Sequence, residues 1–381
     1  MSVAFVIDKY PPFIGGAEYQ AQLLARLMSA RLGRSHVFTA QQEARSDAPA
    51  VSLHRLGASG QHSLRHPMNF VAAFGKFLTH GGRYSIVHGY ALSGLSCGAI
   101  LGARLRGRAT LVKVCSMGPD GDIAKLTRHP LGRWVWPTIR RCPFVVPSPA
   151  IVGELTAHGV PRDAITVIPN AIPPGVPEPP TLASKIGARD ELGLPDRATV
   201  LFVGRLSPEK GPDLLMRVWD RVTLQCDAML VIVGSGSESG RLADWARRSA
   251  PADRVRLVGT RPDVDRFYRA ADVVVVPSRT ETFSNVMAEA MVHGLAVVTT
   301  PVGLAGYWIR HGQNGLVVRG DDERDMASAV VWLIRHPAAR ERLGRAARED
   351  AVAGFSADSI VQRYVDLYTQ LIAPAALPEI A

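Results

Sequence analysis

Cysteine is scarce: the 381 residues hold four, Cys97, Cys115, Cys142 and Cys226, and no two stand in C-x-x-C spacing. That pattern suggests neither a zinc site nor a disulfide framework. Long apolar runs are missing as well, none nearing the roughly 20 residues that a membrane-spanning helix needs. The opening MSVAFVIDKYPP breaks off its apolar stretch at Asp8 and Lys9, too early for a signal peptide, so a cytoplasmic location is expected. No aromatic RNP box or zinc finger is present, and nucleic acid is not an expected partner. What remains is a globular composition, 47% apolar and 20% charged, long enough for two domains with a core each.

The charge is uneven. Residues 1–172 carry 19 Lys and Arg against 8 Asp and Glu, and the rest carry 25 against 26. A basic half suits an anionic substrate or an anionic membrane surface. Residues 126–141, LTRHPLGRWVWPTIRR, interleave bases with Trp134 and Trp136. This segment reads either as a face for such a membrane or as a core helix with its tryptophans turned inward.

Strands are predicted at 3–7, 36–40, 51–56, 85–88, 110–116, 144–147 and 166–169. A second set follows at 199–203, 229–233, 255–258, 271–277, 295–300 and 315–318. Helical stretches separate them, which predicts an α/β chain with doubly wound parallel sheets. Four successive valines in 271–277 suit a strand covered on both faces. Five prolines in 173–180 read as a stiff linker. Residues 340–348 read as a solvated basic face.

The chemistry-bearing stretches follow strands, where open α/β sheets place ligands. Residues 278–294, SRTETFSNVMAEAMVHG, set Glu281 and Glu289 eight positions apart. Ser284 or Asn285 can cap the helix between them. Glu289 lies among Val286, Met287, Ala288, Ala290 and Met291, so it needs a partner unless it points to solvent. Gly204, Arg205 and Lys210 suit a diphosphate: arginine binds phosphate as a planar fork and lysine as a point charge. Gly15 and Gly16 open a helix whose first amides favour phosphate. Gly234-Ser235-Gly236 is a lone G-x-G. Asp263-Val264-Asp265 has metal-motif letters, yet it opens a helix where capping and first-turn charge account for it, so no metal site is expected. Cys115 has no visible base to activate it.

The pattern S-x-x-E-x-F-x-x-V-x-x-E-A-M-x-x-G in 278–294 resembles the E-x7-E segment of retaining GT-B glycosyltransferases, glycosyltransferase family 4. PPFIGGAE at 11–18, IPN at 168–170 and VGRLSPEKG at 203–211 resemble further segments of that family, in its order and across essentially the whole chain. The resemblance implies two Rossmann-like domains facing across a cleft. Residues 1–172 would form the acceptor side, 181–355 the nucleotide-sugar domain, and 356–381 a terminal helix returning to the first domain. It implies that Glu281 lies by the donor sugar and Glu289 on its ribose, with Phe283, Ser284, Asn285 and Val286 in the same donor segment. Arg205 and Lys210 would meet the diphosphate, and Gly15, Gly16, Gly204, Gly234 and Arg261 would complete the donor site. Glu18, His88, Ser116, Gly118, Asp122 and Asn170 would lie on the acceptor or sugar side.

Two positions depart from the family pattern: Cys115 stands where a histidine is common, and Tyr307 where a glutamate is usual. A subgroup pattern, K-x-x-x-S/G-G-x-x-G-D, fits Lys113, Gly118, Gly121 and Asp122 instead, with Ser116 one position before its S/G. The implied reaction moves a sugar, with retention, from a nucleotide sugar to a glycan, lipid-linked or small-molecule acceptor. It needs neither metal nor cofactor, and the implied setting is the synthesis of cell-surface polysaccharide or glycoconjugate. Two alternatives share the fold's chemistry. A nucleotide-sugar epimerase would convert donor without acceptor, and a non-catalytic nucleotide-sugar-binding subunit would never turn over.

Overall fold

Both sheets are wholly parallel, every strand pairing with a neighbour running the same way, with one register shift between Leu257 and Gly259. The computed structural model describes residues 1–12, 15–46, 48–58, 65–175, 178–249 and 253–373. Phe13 and Ile14 of PPFIGGAE, Val176 and Pro177 of the proline-rich linker, and the end of the terminal segment from 374 on lie outside the described residues. Two compact units make up the chain: Met1–Pro173 joined by the segment that starts at Ala357, and Pro174–Ser356.

In the first unit the strands are β1 (Val3–Val6), β2 (Ser35–Thr39), β3 (Val51–Arg55), β4 (Ile86–Tyr90), β5 (Ala109–Lys113), β6 (Phe144–Val146) and β7 (Ile165–Val167). Their order is β3-β2-β1-β4-β5-β6-β7, so the direction of winding reverses between β1 and β4. Its helices are α1 (Gly16–Leu32), α2 (Arg65–His80), α3 (Gly94–Leu105), α4 (Asp122–Arg128), α5 (Pro130–Ile139) and α6 (Val152–Ala157). The two-residue period of a strand divides the core between the sheet's faces. Ala4 and Val6 of β1 pack among residues of α2, α3 and α5, while Val3 and Phe5 pack among residues of α1 and of residues 360–368.

The second unit holds α7 (Leu182–Leu192), α8 (Pro212–Thr223), α9 (Ser239–Ser249), α10 (Val264–Ala270), α11 (Asn285–Val292), α12 (Glu323–Arg335) and α13 (Pro337–Phe355). Its strands are β8 (Ala198–Val203), β9 (Ala228–Val233), β10 (Val255–Gly259), β11 (Val273–Val276), β12 (Ala296–Thr299) and β13 (Leu316–Val317). They run in the order β10-β9-β8-β11-β12-β13, with the reversal between β8 and β11. The four valines are β11 itself, all buried. After Ser356 the chain returns to the first unit as α14 (Ala357–Ile372).

Residues 126–141 follow neither expectation in full. His129 breaks them into α4 and α5, because Pro130 cannot continue a helix but starts one readily. Trp134 is 74% exposed, whereas Trp136 lies edge-on to Phe144 and donates from Nε1 to the His158 carbonyl at 3.2 Å. The basic face at 340–348 is also only partly solvated. Arg340 turns in to Asp272 at 3.4 Å, and Arg348 donates to the Val292 carbonyl at 2.5 Å. Among the described residues no helix is long and apolar enough to cross a membrane.

Candidate active site

In the second unit the loops after β8, β9 and β11 converge at the point where the winding reverses. A Cβ on Gly234, at φ +137°, would sit 1.9 Å from the Gly204 carbonyl oxygen, so the loops after β8 and β9 touch backbone to backbone. Gly211, at φ +69°, presses equally close on the Pro277 carbonyl. Arg279 then fastens the two sides. Its amide donates to the Glu209 carbonyl at 2.8 Å, and Nη1 to the Pro208 carbonyl at 2.9 Å. Nη1 and Nη2 donate to the Asp213 carboxylate at 2.8 and 2.7 Å, holding its pKa far below the usual carboxylate range. Nη2 also reaches Asp321 Oδ1 at 3.1 Å, and nothing in the sequence flags Arg279, since these partners lie between 42 and 71 residues away.

Lys210 and Glu281 meet inside this frame. Lys210 Nζ donates to Glu281 Oε1 at 2.7 Å, and Ser278 Oγ donates to the same oxygen at 3.0 Å. Arg205 stands outward with its side chain 69% exposed, and its Nη1 is 4.0 Å from Glu209. Two of the three proposed catalytic side chains are thus joined, and the third opens to solvent nearby in the loop.

Ser284 precedes α11 at φ +73°, a left-handed conformation that costs a non-glycine residue about 1–3 kcal/mol. The expected cap is absent: the Ser284 hydroxyl makes no capping bond, and its buried Oγ has no hydrogen-bond partner. Asn285 is the first residue of the helix rather than its cap. Val286 follows it, half-buried, whereas Phe283 is buried edge-on against Phe355 and anchors the loop. Glu289 has the partner its position required. Tyr268 Oη donates to Oε2 at 2.8 Å. Burial pushes the Glu289 carboxyl up to about 7, against the pull of that hydrogen bond.

Arg261 spends its fork on Asp263, from Nε and Nη2 at 2.9 Å each. That pair replaces the expected cap, since Asp263 makes no side-chain capping bond. Asp265 pairs with His293 at 2.8 Å. Among the described residues no group of three or more His, Cys, Asp or Glu is placed to hold a metal ion.

In the first unit Gly15 caps α1 and Gly16 begins it. The Glu18 carboxylate lies over them: a Cβ on Gly15 would be 2.1 Å from its Oε2. A phosphate at this helix start would have to displace that acid. His88 is not at the site. It lies fully buried in β4, with Nδ1 2.6 Å from Tyr368 Oη of α14, and burial holds its pKa well below the usual value. It is a core contact for the terminal helix, because a side chain inside β4 faces whatever covers the sheet.

Ser116 and Asp122 also turn to each other. The Asp122 carboxylate accepts from Ser116 Oγ at 2.6 Å and the Cys115 amide at 2.7 Å, which ties the loop closed. Gly118 at its tip donates to Glu154 at 2.8 Å. Burial pushes the Cys115 thiol up to about 12, the wrong direction for a nucleophile. Asn170 accepts from Lys113 Nζ at 2.8 Å, a lysine buried under the Tyr90 and Tyr364 rings. Beside the loop, between α2, α3, α4 and α5, lies a cavity of about 360 Å³. Phe70, Leu92, Leu131 and Val135 line it, with Lys125 and Arg128 among its cationic groups.

Residues 15–171 match the family described as "Glycosyl transferase 4-like domain", and 197–336 match "Glycosyl transferases group 1". Each unit thus carries a glycosyltransferase domain, and the fold is that of GT-B glycosyltransferases. A D-inositol 3-phosphate glycosyltransferase of Stackebrandtia nassauensis is 37% identical over 234 residues, 57% of this chain and 52% of that protein. The chain thus spans about half the length of the curated relatives it matches. Two solved structures share the fold over nearly their full length. Anabaena HepE in complex with UDP aligns with a TM-score of 0.79 at 20% identity, covering 97% of this chain and 100% of that one. Sucrose-phosphate synthase of Thermosynechococcus elongatus aligns with a TM-score of 0.80 at 24% identity, covering 97% and 98%.

Proposed function

We propose that the chain transfers a sugar from a UDP-sugar to a phosphate-bearing acceptor, with retention at the anomeric carbon and with neither metal nor organic cofactor. The observation that carries this reading is the Lys210–Glu281 pair at 2.7 Å, where the winding of the second sheet reverses. In the reaction the bond from the anomeric carbon to the diphosphate oxygen breaks, and the acceptor oxygen bonds to that carbon on the same face. The acceptor's proton passes to the departing diphosphate. Arg205 and Lys210 take up the charge that develops there, the kind of electrostatic support that often supplies the largest share of catalysis. Glu281 orients the sugar ring, and Glu289 holds the ribose. Ser284, strained and with an unpartnered hydroxyl, donates to the diphosphate at the start of α11.

UDP is favoured as the donor nucleotide because HepE, of like fold, was solved with UDP and UDP-glucose. The acceptor class rests on three features: the basic first unit, the name of the inositol phosphate relatives, and the cavity with Lys125 and Arg128 beside the 116–122 loop. An acceptor whose phosphate is lipid-linked would add its chain to the apolar lining, with exposed Trp134 toward an anionic membrane. This setting corresponds to cell-surface glycoconjugate synthesis.

The test is product analysis with UDP-glucose or UDP-N-acetylglucosamine, inositol phosphate and a chelator. An α-linked product formed at undiminished rate supports the reading. Inverted linkage, loss of turnover with chelator, or conversion of donor without acceptor would each overturn the corresponding part. Arg205→Ala should lower turnover by orders of magnitude while leaving the exposed loop folded.

A further inference from the structure

Tyr268, His293 and Asp265 have no part in the transfer as described, yet they form a continuous chain behind Glu289. Tyr268 Oη donates to Glu289 Oε2 at 2.8 Å. The Tyr268 ring stacks on His293, with centroids 4.9 Å apart and planes inclined by 25°. His293 Nδ1 donates to the Glu289 backbone carbonyl at 2.8 Å, and Nε2 lies 2.8 Å from Asp265 Oδ1. The helix α10 supplies Asp265 and Tyr268 three positions apart, so both fall on one face toward α11. Glu289 is therefore held twice, by its side chain through Tyr268 and by its backbone through His293.

The geometry points to Tyr268, His293 and Asp265 as positioning residues that hold the Glu289 carboxylate ready for the donor's ribose hydroxyls. The inference rests on Glu289 being the ribose ligand. A ribose hydroxyl donates well only to an ionised carboxylate, and Glu289 sits where burial favours the neutral acid. Tyr268 offsets that by donating to the ionised form. With Tyr268 buried and stacked, the carboxylate cannot swing to another rotamer without abandoning its donor. Among the described residues, the charged and titratable groups facing Glu289 are Tyr268 from α10 and His293 at the C-terminal cap of α11, with Asp265 behind His293. On the α13 side Arg348 reaches the Val292 carbonyl.

The test uses UDP as probe and calorimetry as readout, so it does not depend on knowing the acceptor. Tyr268→Phe keeps the ring and its stacking and removes only the donor. It should weaken UDP binding roughly tenfold, as loss of a hydrogen bond to a charged group does. It should also move the acid limb of the affinity–pH profile upward by about one unit, since a tenfold shift equals one pKa unit. In steady-state kinetics the loss should appear in the donor KM with kcat nearly unchanged. Asp265→Asn, at the exposed end of the chain, should weaken UDP binding severalfold without loss of folding. Glu289→Gln is measured in parallel. If it weakens UDP while Tyr268→Phe and Asp265→Asn change neither affinity nor pH profile, the positioning role is wrong. If Glu289→Gln itself leaves UDP affinity intact, the ribose assignment fails instead.

Discussion

Ser284 combines two costs that a fold does not ordinarily keep: a left-handed backbone and a buried hydroxyl without a partner. Strain of this kind persists where the surroundings impose it, often at binding sites. Ser284→Gly should relieve the backbone by about 1 kcal/mol, raising the melting temperature of its unit by roughly 2–4 °C. The same change should weaken UDP binding, because it removes the hydroxyl proposed to meet the diphosphate. A variant both more stable and equally tight in binding would show that the strain serves no ligand. Sequence reasoning offered Ser284 or Asn285 as the helix cap and, by resemblance, placed both in the donor segment. Side-chain capping depends on φ and ψ of the residue, which one letter does not carry.

At the scale of elements, the second unit is tied together by Asp272, just before β11. Its carboxylate takes Arg189 of α7 at 2.5 Å, Lys185 of α7 at 3.1 Å, Arg340 of α13 at 3.4 Å and the Thr199 amide of β8 at 2.9 Å. Removing one partner of a buried ion cluster costs about 3–5 kcal/mol, because the remaining charges lose their compensation. Asp272→Asn should therefore shift the urea midpoint of this unit strongly downward. The three cations hold the Asp272 pKa below its ordinary value. Its contribution is present above the unfolded carboxylate pKa of about 3.9 and is lost as pH falls through the lower folded value. The wild type's extra stability over Asp272→Asn should thus shrink only in acid. A difference that stays constant down to pH 2 would rule out the charge as its source. α14 makes the complementary point for the first unit: Tyr364 and Tyr368 lie against His88, so the last helix completes a core begun by the first strand.

At the scale of the whole molecule, two units with separate cores and separate sheets should melt as two transitions. A nucleotide at about a hundred times its dissociation constant adds roughly 2.7 kcal/mol to the species that binds it. UDP should raise the transition belonging to Pro174–Ser356, and GDP and ADP should raise it less. An equal rise with all three would leave the uracil preference unsupported, and a rise confined to the other transition would move the nucleotide site.

The residues alone determined the alternation of strands and helices, the parallel sheets, the proline-rich join and the loop motifs from which a donor site was expected. These are local: four valines bury on both faces wherever they stand, and a Gly-Arg-Lys loop after a strand suits phosphate by its own chemistry. The tertiary structure alone decided which side chains meet. It joined Lys210 to Glu281 across 71 residues, gave Arg279 its fastening role and placed Tyr268 on Glu289. It also buried His88 under a helix 280 residues away and turned Ser116 and Asp122 into a closed loop. The physical reason is common to all of these. Burial and hydrogen bonding act between groups that topology brings together, and spacing along the chain does not record which strand order will do so.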